Sequence, residues 1–522
     1  MAKEVNIAIV HFNTPLLTEC LVKSINKFTP NSHIYIFDNS DKYPFVYRQD
    51  NITYYDNTKG QIINLDKLLD RYPNKTPRYW AANKCGSARH CITIQKCIDL
   101  IGKNFILLDS DVLLKKDIAP LFDESKIFVG EVGHANNSYD RVFPWLCFLN
   151  VDMMKKHGIK YFNDHYMLGL NTTELCDWYD TGAYFLMKSK KYSHTLIKDN
   201  DYIAHFASAS WNAKQTIEKR NEFLNKNIKL YSDDYKEHLY VTMTSWKERI
   251  VNLKHVLSTI LANTMLPERI FVNLSEEEFP GKEKDLLPEF INFIKENPII
   301  EIRWIPGKNT KQWKKIIPTL LAYPKDAVIC IDDDRTYPKD FIKTLYDEHL
   351  KNPNFPVTVD QGAKVYGIKL HCGHGTLNKL EYYGNMMDVF TEDIMQNPSS
   401  DTFFAYMCKR TGRDIIPTKY NVNKFIKLYN EVNALHRSVG TYNMNVHKDM
   451  VQLLDKKFGL SFAGTDTKKA PETKSKLPNS SEIYEVLGRH YNGEKRIQKV
   501  STQNPVIRRH LISKSLKEFL KP

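Results

Sequence analysis

The sequence predicts an α/β protein built from two tandem domains, each with a mostly parallel, Rossmann-like sheet. Apolar, strand-like runs alternate with amphipathic helical stretches, and this alternation is typical of βαβ units. Two of the apolar runs end in carboxylates: FILLDSDVLL at 105–114 and AVICIDDD at 327–334. Because ionised carboxylates resist burial, we expect both groups at the carboxyl edge of a sheet, where open α/β sheets bind their ligands.

The size and charge of the chain fit a two-domain protein with a separate tail. The chain has 522 residues, of which 42% are hydrophobic, so it has enough apolar material for two cores. Its formal net charge is +13, and the last 28 residues contain eight Lys or Arg and one Glu. The remainder is only mildly basic, which argues against a nucleic-acid partner and indicates that the tail has a partner of its own.

Several features favour a cytoplasmic location. The sequence has no run of about 18 apolar residues that would form a transmembrane helix. The first residues, MAKEVNIAIV, lack the three regions of a signal peptide. The nine cysteines are scattered and show no CxxC spacing, so we expect reduced thiols rather than a disulfide framework or a zinc site.

In the first domain, runs of period two and stretches of helical period follow one another. The second predicted strand ends in Asp38, and the strand before the first acidic motif leads into Asp109 and Asp111. The expected elements are strand 6–12, helix 16–25, strand 32–38, a helix that opens with GSARH at 86–90, strand 105–108, and a strand-like run, DTGAYF, at 180–185.

The second domain repeats this order of elements without repeating the residues. Its expected elements are strands 239–244, 269–274 and 300–305, a helix at 313–321 and strand 327–331, which runs into Asp332–Asp334. The predicted boundaries are 1–215 for the first domain, 216–237 for a linker, 238–460 for the second domain, 461–482 for a flexible connector and 483–522 for the tail.

The tail has the pattern of a basic amphipathic helix. Apolar residues such as Leu511 and Phe519 fall near one helical face, and basic residues such as Arg508 and Lys517 fall largely elsewhere. This pattern suits an anionic membrane surface. We therefore expect the protein to be peripheral on the cytoplasmic face of the inner membrane.

The acidic motifs have the spacing of a metal–diphosphate site. Two carboxylates at i and i+2 can bind Mg²⁺ or Mn²⁺ while the cation also holds phosphate oxygens of a substrate. The cation then neutralises the charge that develops on a diphosphate leaving group. Breaking a sugar–nucleotide bond requires this chemistry, so we expect Mn²⁺ or Mg²⁺ as the cofactor.

The first half resembles the nucleotide-sugar-dependent glycosyltransferases of the GT-A fold, through GSARH, the following helix and FILLDSDVLL. The resemblance implies that Asp109 binds metal and donor, that Asp111 and His205 complete the metal site, and that Asp38 contacts the base or ribose. It also implies that Asp180 faces the reaction centre as a catalytic residue. Separately, Arg89 opens a helix, where side chains can meet phosphates.

The second half resembles a bacterial polysaccharide-type glycosyltransferase group with T-S-W-x-x-R-I, lysines before a helix, and D-D-D followed by Tyr-Pro. Such enzymes usually have two acids before a later helix, and this chain has one, Asp401, as the implied catalytic base. The implied donor-binding residues are Ser245, Trp246, Arg249, Lys314, Asp332 and Asp333, and the implied metal ligands are Asp332 and Asp334.

Purely structural roles stay open for several of these residues. Asp38 can be an ordinary turn residue, and His205 can be a packed histidine. Lys314 can belong to a solvated face, and Asp401 can be a helix N-cap.

The sequence thus predicts a bifunctional, metal-dependent glycosyltransferase. It would move sugars from nucleotide-sugar donors to a glycan or lipid-linked glycan acceptor of a bacterial capsule or lipopolysaccharide. A rival hypothesis keeps the fold but has a single active domain, whichever of the two it is, and the other domain is a binding or structural module. Two rival functions of a different class are a nucleotidyltransferase, disfavoured because no triphosphate loop follows the first strand, and a non-enzymatic carbohydrate-binding protein.

Overall fold

The computed structural model forms two compact units, Met1–Asp234 and Tyr235–Pro522. The basic tail, predicted at 483–522, lies outside the described residues. The structure describes residues 4–64, 86–134, 139–163, 180–207, 209, 216–359, 364–369, 373, 375–418, 420, 424–426, 428 and 444–463.

The first unit contains strands and helices in the alternating order that the sequence predicts. Its strands are β1 (Val5–His11), β2 (Ser32–Asp38), β3 (Ile52–Asp56), β4 (Phe105–Asp109), β5 (Val112–Leu114), β6 (Phe128–Gly133), β7 (Arg141–Leu149), β8 (Thr195–Leu196) and β9 (Ile203–His205). Its helices are α1 (Pro15–Phe28), α2 (Gly86–Ile101), α3 (Val151–Lys156), α4 (Ala183–Ser189) and α5 (Ile217–Lys226).

Seven of these strands form one mixed sheet in the order β3-β2-β1-β4-β7-β6-β8. The first four are parallel neighbours. β7 is antiparallel to both β4 and β6, and β8 is parallel to β6. A separate antiparallel ribbon joins β5 to β9.

The second unit has its own set of elements. Its strands are β10 (Leu239–Thr244), β11 (Arg269–Ser275), β12 (Ile300–Ile305), β13 (Ala327–Cys330), β14 (Val357–Thr358), β15 (Lys364–Val365), β16 (Ile368–Lys369), β17 (Thr376–Asn378) and β18 (Ile416–Pro417). Its helices are α6 (Leu253–Leu261), α7 (Pro288–Glu296), α8 (Ile317–Ala322), α9 (Phe341–Lys351), α10 (Glu392–Gln396), α11 (Ser400–Arg410) and α12 (Met444–Phe458).

The sheet of the second unit repeats the first strand by strand. Its order is β12-β11-β10-β13-β17-β14-β18. Again the first four strands are parallel, the next two pairings are antiparallel, and the last is parallel. The predicted fold class, two tandem Rossmann-like α/β domains, is therefore confirmed, and so is a repeat of pattern with different residues.

Alternating residues of each central strand pack into two hydrophobic cores, one on each face of the sheet. In β1, Ile7 and Ile9 belong to one apolar cluster and Ala8 to the other. All three are fully buried, and each buried isoleucine contributes about 1.5–3 kcal/mol. The helices that cover both faces leave the carboxyl edge of the parallel strands open for function.

The strand predicted at 180–185 is wrong, because α4 begins at Ala183 and runs as a helix. Gly182 stands before it with φ of 91°, a left-handed conformation that favours glycine. A Cβ atom at this position would lie 2.1 Å from the carbonyl oxygen of Val142. The glycine therefore lets the chain turn tightly against β7 and start a helix where the apolar run alone predicts a strand.

The helix predicted at 313–321 is divided into two pieces. A 3₁₀ turn spans Lys311–Lys315, and α8 starts at Ile317 with Pro318 in its first turn. Proline lacks an N–H group, so it fits a helical first turn and not a helix interior. Within the described part of the chain, no helix is both long and apolar enough to span a bilayer.

Candidate active site

In the first unit, Asp109 and Asp111 lie at the carboxyl edge of the sheet. The four residues before Asp109 in β4 are buried, and Asp109 itself is half-buried at the strand end. The turn between the carboxylates is held in place because Ser110 Oγ lies 2.8 Å from Thr14 Oγ1, at the start of α1. The apolar strand thus sets the position of both acids.

A short ribbon brings His205 to the same edge. β9 pairs antiparallel with β5, so His205 lies opposite Val112, next to Asp111. The backbone carbonyl of Asp111 accepts a hydrogen bond from Phe206 N at 3.0 Å, and its Oδ2 accepts one from Ala209 N at 3.1 Å. Residues far apart in the chain therefore meet through backbone pairing.

Asp109, Asp111 and His205 have the arrangement of a metal-binding cluster. One ligand atom from each lies within 4.8 Å of the others, and within the described residues this is the one such group of His, Cys, Asp or Glu. The His205 Nε2 atom is 3.4 Å from Asp111 Oδ1. Carboxylates suit Mg²⁺ and Mn²⁺, and an imidazole suits transition metals, so the donor set fits a divalent cation.

Burial and mutual charge alter the proton affinities of this cluster. Burial raises the pKa of Asp109, and the Asp111 charge adds to this, while His90 opposes it. Burial lowers the pKa of His205, but the hydrogen bond and charge of Asp111 outweigh it, so the net shift is upward. A cation bound here would compete with the proton that His205 carries, because only the neutral ring ligates.

Two residues of this site were not predicted from the sequence. His90, in α2, has its Nε2 atom 3.3 Å from Asp109 Oδ1. Arg141, at the start of β7, has Nη1 2.5 Å from Asp180 Oδ2. The signal for His90 was its place in the GSARH motif beside Arg89, whereas no local pattern marks Arg141.

Asp180 lies beside the metal cluster but does not belong to it. Besides the ion pair with Arg141, its Oδ1 accepts a hydrogen bond from Thr181 N at 2.7 Å. Arg141 in turn lies over Trp145, with the guanidinium carbon 5.5 Å from the ring centre, and the Trp145 ring lies 4.9 Å from that of His205. The half-buried Trp145 offers an aromatic face next to the cluster.

The Asp38 carboxylate is hydrogen-bonded to the loop that follows β2 and to β3. Its carboxylate accepts hydrogen bonds from Ser40 N at 2.8 Å, Phe45 N at 2.7 Å and Tyr54 Oη at 2.8 Å, and the residue is fully buried. These contacts favour a turn role, while a contact with a base or ribose stays a prediction. Arg89 is half-buried in the first turns of α2, and its phosphate contact also stays a prediction.

In the second unit the three consecutive aspartates follow β13 at the equivalent place. Arg249 Nη2 lies 2.9 Å from Asp333 Oδ1 and also contacts Asp334 Oδ2. Ser245 Oγ donates to Asp333 Oδ2 at 2.6 Å. The structure thus brings together Ser245, Arg249 and the acidic triplet, all predicted from the sequence, while Trp246 is half-buried in the loop between them.

The two neighbouring lysines of the 3₁₀ turn have different partners. Lys314, the predicted donor-binding residue, donates to Asn309 Oδ1 at 2.9 Å and lies 3.4 Å from Glu278. Its pKa is lowered by burial. Lys315, which was not among the predicted site residues, contacts Asp332 Oδ1 at 2.8 Å.

Asp401 lies at the start of α11, close to this lysine. A Cβ atom built on Gly373 would be 3.1 Å from Lys315 Nζ and 3.4 Å from Asp401 Oδ1, which places both side chains around one point. Burial raises the pKa of Asp401 to about 6, although Lys315 opposes the shift. Burial likewise raises the pKa of Asp333 to about 6 against the effect of Arg249.

The second cluster does not fit the predicted metal site of Asp332 and Asp334. Both carboxylates lie beside cationic side chains: Lys315 contacts Asp332, and Arg335 Nε lies 4.0 Å from Asp332 Oδ2 and 3.7 Å from Asp334 Oδ1. Guanidinium and ammonium groups cannot ligate a cation, and they repel one. Among the described residues, no third His, Cys, Asp or Glu atom completes a ligand set here.

Comparison with known proteins gives matches in structure. No protein-family model matches the chain, and no curated protein matches it in sequence. The solved structures that match include the mannosyltransferase PcManGT from Pyrobaculum calidifontis, solved with GDP-Man and Mn²⁺. It has 10% identity and a TM-score of 0.32, over 55% of this chain and 82% of that one.

Two further matches are also glycosyltransferases. GlyE from Streptococcus pneumoniae TIGR4 has 11% identity and a TM-score of 0.26, over 62% of this chain and 82% of its own. The galactosyltransferase LgtC, with donor and acceptor sugar analogues, has 14% identity and a TM-score of 0.24, over 37% and 74%. The structural matches thus include the class that the sequence resembles, and at this identity the function has to be argued from the site.

Proposed function

We propose that this protein is a metal-dependent glycosyltransferase that uses nucleotide-sugar donors, with its donor site at the carboxyl edge of the first sheet. The observation that carries the proposal is the cluster of Asp109, Asp111 and His205, whose ligand atoms lie within 4.8 Å of one another. Two carboxylates and one imidazole leave coordination positions for phosphate oxygens. Mn²⁺ or Mg²⁺, when bound, supplies positive charge to the diphosphate leaving group.

The surrounding residues supply orientation and charge balance. His90 contacts Asp109 at 3.3 Å and fixes the carboxylate against α2, as partners of metal ligands commonly do. The Arg141–Asp180 pair stands beside the cluster, where Asp180 can orient a sugar hydroxyl and Arg141 can balance the negative charge of the donor. Trp145 offers a ring face on which a pyranose can stack.

The finer parts of the proposal rest on the sequence. The basic, amphipathic pattern of 483–522 supports binding to an anionic membrane surface, and this location suits a lipid-linked glycan acceptor of a bacterial capsule or lipopolysaccharide. A second transfer reaction, with Asp401 as the base, is a prediction from the resemblance of the second domain. Its raised pKa of about 6 is compatible with a general base near neutral pH.

The test is metal-dependent turnover of a panel of nucleotide-sugars by the full chain. We expect slow hydrolysis of at least one donor with Mn²⁺ or Mg²⁺, and a loss of about 100-fold or more in Asp111→Asn, because a ligand of the charge-stabilising group is removed. The matched control is Asp152→Asn, an exposed acid of the same unit, which should keep the activity. Equal rates with and without EDTA would contradict the proposal.

The reaction products separate the proposal from its rivals. A glycosyltransferase releases a nucleoside mono- or diphosphate from the sugar-nucleotide, whereas a nucleotidyltransferase releases pyrophosphate from a nucleoside triphosphate. A carbohydrate-binding protein without catalysis turns over neither compound. Chromatography of the products of both incubations therefore distinguishes the three functions.

A further inference from the structure

The two acidic clusters differ in the kind of side chain that faces them. In the first unit, the ionisable side chains paired with Asp109 and Asp111 are imidazoles, His90 and His205. A neutral imidazole is a common metal ligand. Asp109, Asp111 and His205 are therefore all side chains of a kind that ligates a divalent cation.

In the second unit, the cluster is faced by guanidinium and ammonium groups. One guanidinium, Arg249, contacts both Asp333 and Asp334, and its side chain is 9% exposed. The ammonium group of Lys315 lies 2.8 Å from Asp332 Oδ1. These groups keep their protons across the physiological range, so the positive charge is a fixed part of the site.

One of these cations, Lys315, has the same place in the chain order of its unit as a histidine of the first unit. Lys315 precedes the helix before β13 and meets the first carboxylate after that strand, as His90 in the helix before β4 meets Asp109. Arg249 comes from the loop after β10 and contacts Asp333 and Asp334, whereas His205 reaches Asp111 from β9, late in its unit. A divalent cation would have to displace Arg249 and Lys315 from partners that they already neutralise.

We infer that the second domain takes its ligand without a divalent cation, and that Arg249 and Lys315 provide the positive charge there. The chain then has one metal-dependent site, in the first domain. This inference deepens the proposed function, because it limits how many donor sites depend on metal. The number of metal-dependent sites, one, rests on the proposed function of the first cluster. The absence of a metal from the second cluster does not, and it can be tested separately.

The experiment is a titration of the full chain with Mn²⁺ alone. Electron paramagnetic resonance measures the concentration of free Mn²⁺ at each step, which gives the number of ions bound per chain. We expect one Mn²⁺ per chain in the wild type, none in Asp111→Asn, and one in both Asp334→Asn and Asp332→Asn. Two ions per chain, with one lost in Asp334→Asn or Asp332→Asn, would overturn the inference. Retention of the ion in Asp111→Asn would instead contradict the proposed function.

A second measurement tests the stated cause. In an Asp111→Asn background, Arg249→Gln removes the guanidinium from Asp333 and Asp334. We expect this double variant to have a lower Tm and to regain Tm on addition of Mn²⁺, whereas Asp111→Asn alone shows no shift with Mn²⁺. If Mn²⁺ leaves the Tm of the double variant unchanged, the cationic side chains are not what keeps the metal out, and the inference fails.

Discussion

The carboxylate clusters of the two domains occupy equivalent places in sheets of the same strand order, yet they have different neighbours. In the first domain, the groups that contact the acids are histidines. In the second domain, they are two arginines and a lysine. The comparison shows that the same acidic motif at the end of a strand can have quite different partners. We therefore expect the partners to decide between a bound metal and an internal ion pair, because an imidazole can ligate a metal and a guanidinium cannot.

The difference also changes what each cluster contributes to stability. The proposed metal ligands Asp109 and Asp111 repel one another when no cation is bound, and the side chains that offset this repulsion are histidines, whose charge is not permanent. Carboxylates paired with buried cations are compensated within the fold, and removing one partner leaves uncompensated charge. The first cluster is therefore expected to be sensitive in function, and the second in folding.

The largest expected effect is on folding, from Arg249→Met. This change leaves Asp333 and Asp334 buried without their shared cation, and we expect a loss of about 3–5 kcal/mol in the free energy of unfolding. The matched change in the first domain, His205→Gln, should cost much less, because it removes a partner whose charge is not permanent. Urea unfolding of both variants is the measurement. Equal losses would remove the distinction between the clusters.

The next effect is on metal affinity and follows from the protonation of His205. Its net pKa shift is upward because of Asp111, against the effect of burial, so the ring holds its proton at pH values where an ordinary histidine is neutral. Below the raised pKa, the affinity for Mn²⁺ should fall by up to about tenfold per pH unit, because the proton must leave before the ring ligates. Mn²⁺ titrations from pH 6 to 8.5 test this.

The control for that pH series is His205→Gln, which should bind Mn²⁺ more weakly and show a flatter dependence on pH. A profile as steep in the variant as in the wild type would assign the titration to another group. Asp109 is the first candidate, since burial raises its pKa too.

A smaller effect is expected for His90→Gln. This residue contacts Asp109 without belonging to the group of three ligands, and the loss of such a partner commonly costs about tenfold in metal affinity or activity. The measurement is the Mn²⁺ dependence of donor hydrolysis. Lys315→Gln, the equivalent change in the second domain, should leave the Mn²⁺ dependence of donor hydrolysis unaltered. If both variants change this dependence, the two clusters do not differ in the way proposed.

The sequence is sufficient to predict most of the fold. The strands 32–38, 239–244 and 300–305 have the predicted bounds, because β-branched and aromatic residues mark strands and polar residues mark their ends. The errors occur where a single residue overrides an apolar run. Gly182 turns a predicted strand into a helix, and Pro318 divides a predicted helix.

The site could be predicted less completely, for a physical reason. Sequence patterns locate strand ends, so they placed Asp109, Asp111 and Asp332–Asp334 at the edges of the sheets. They do not give the direction of a side chain, and adjacent residues such as Lys314 and Lys315 differ in this respect. His205 reaches the cluster through a ribbon between distant segments, which no local pattern reveals. Arg249 was predicted to bind the donor, and only the fold shows that it forms ion pairs with Asp333 and Asp334.

A further expected effect concerns Asp401 and the pH dependence of stability. Burial raises its pKa to about 6, from an ordinary value of 3.8. Between these values the folded protein binds a proton that the unfolded chain has released, so this group stabilises the fold at low pH and the contribution is lost as the pH rises through about 6. We expect Asp401→Asn, which does not titrate, to be more stable than the wild type at pH 7 by up to about 3 kcal/mol, because one pKa unit corresponds to about 1.4 kcal/mol.

At pH 4, the two proteins should have nearly equal free energies of unfolding, because the wild-type carboxyl group is then protonated in the folded state. Urea unfolding at pH 4, 5.5 and 7 measures the difference at each point. A variant that is less stable at pH 7 would mean that the attraction between Asp401 and Lys315 exceeds the cost of burying the charge. In that case, two ionised acids would hold Lys315 in position. This outcome would support the inference that Lys315 supplies the positive charge that a cation would otherwise supply in the second domain.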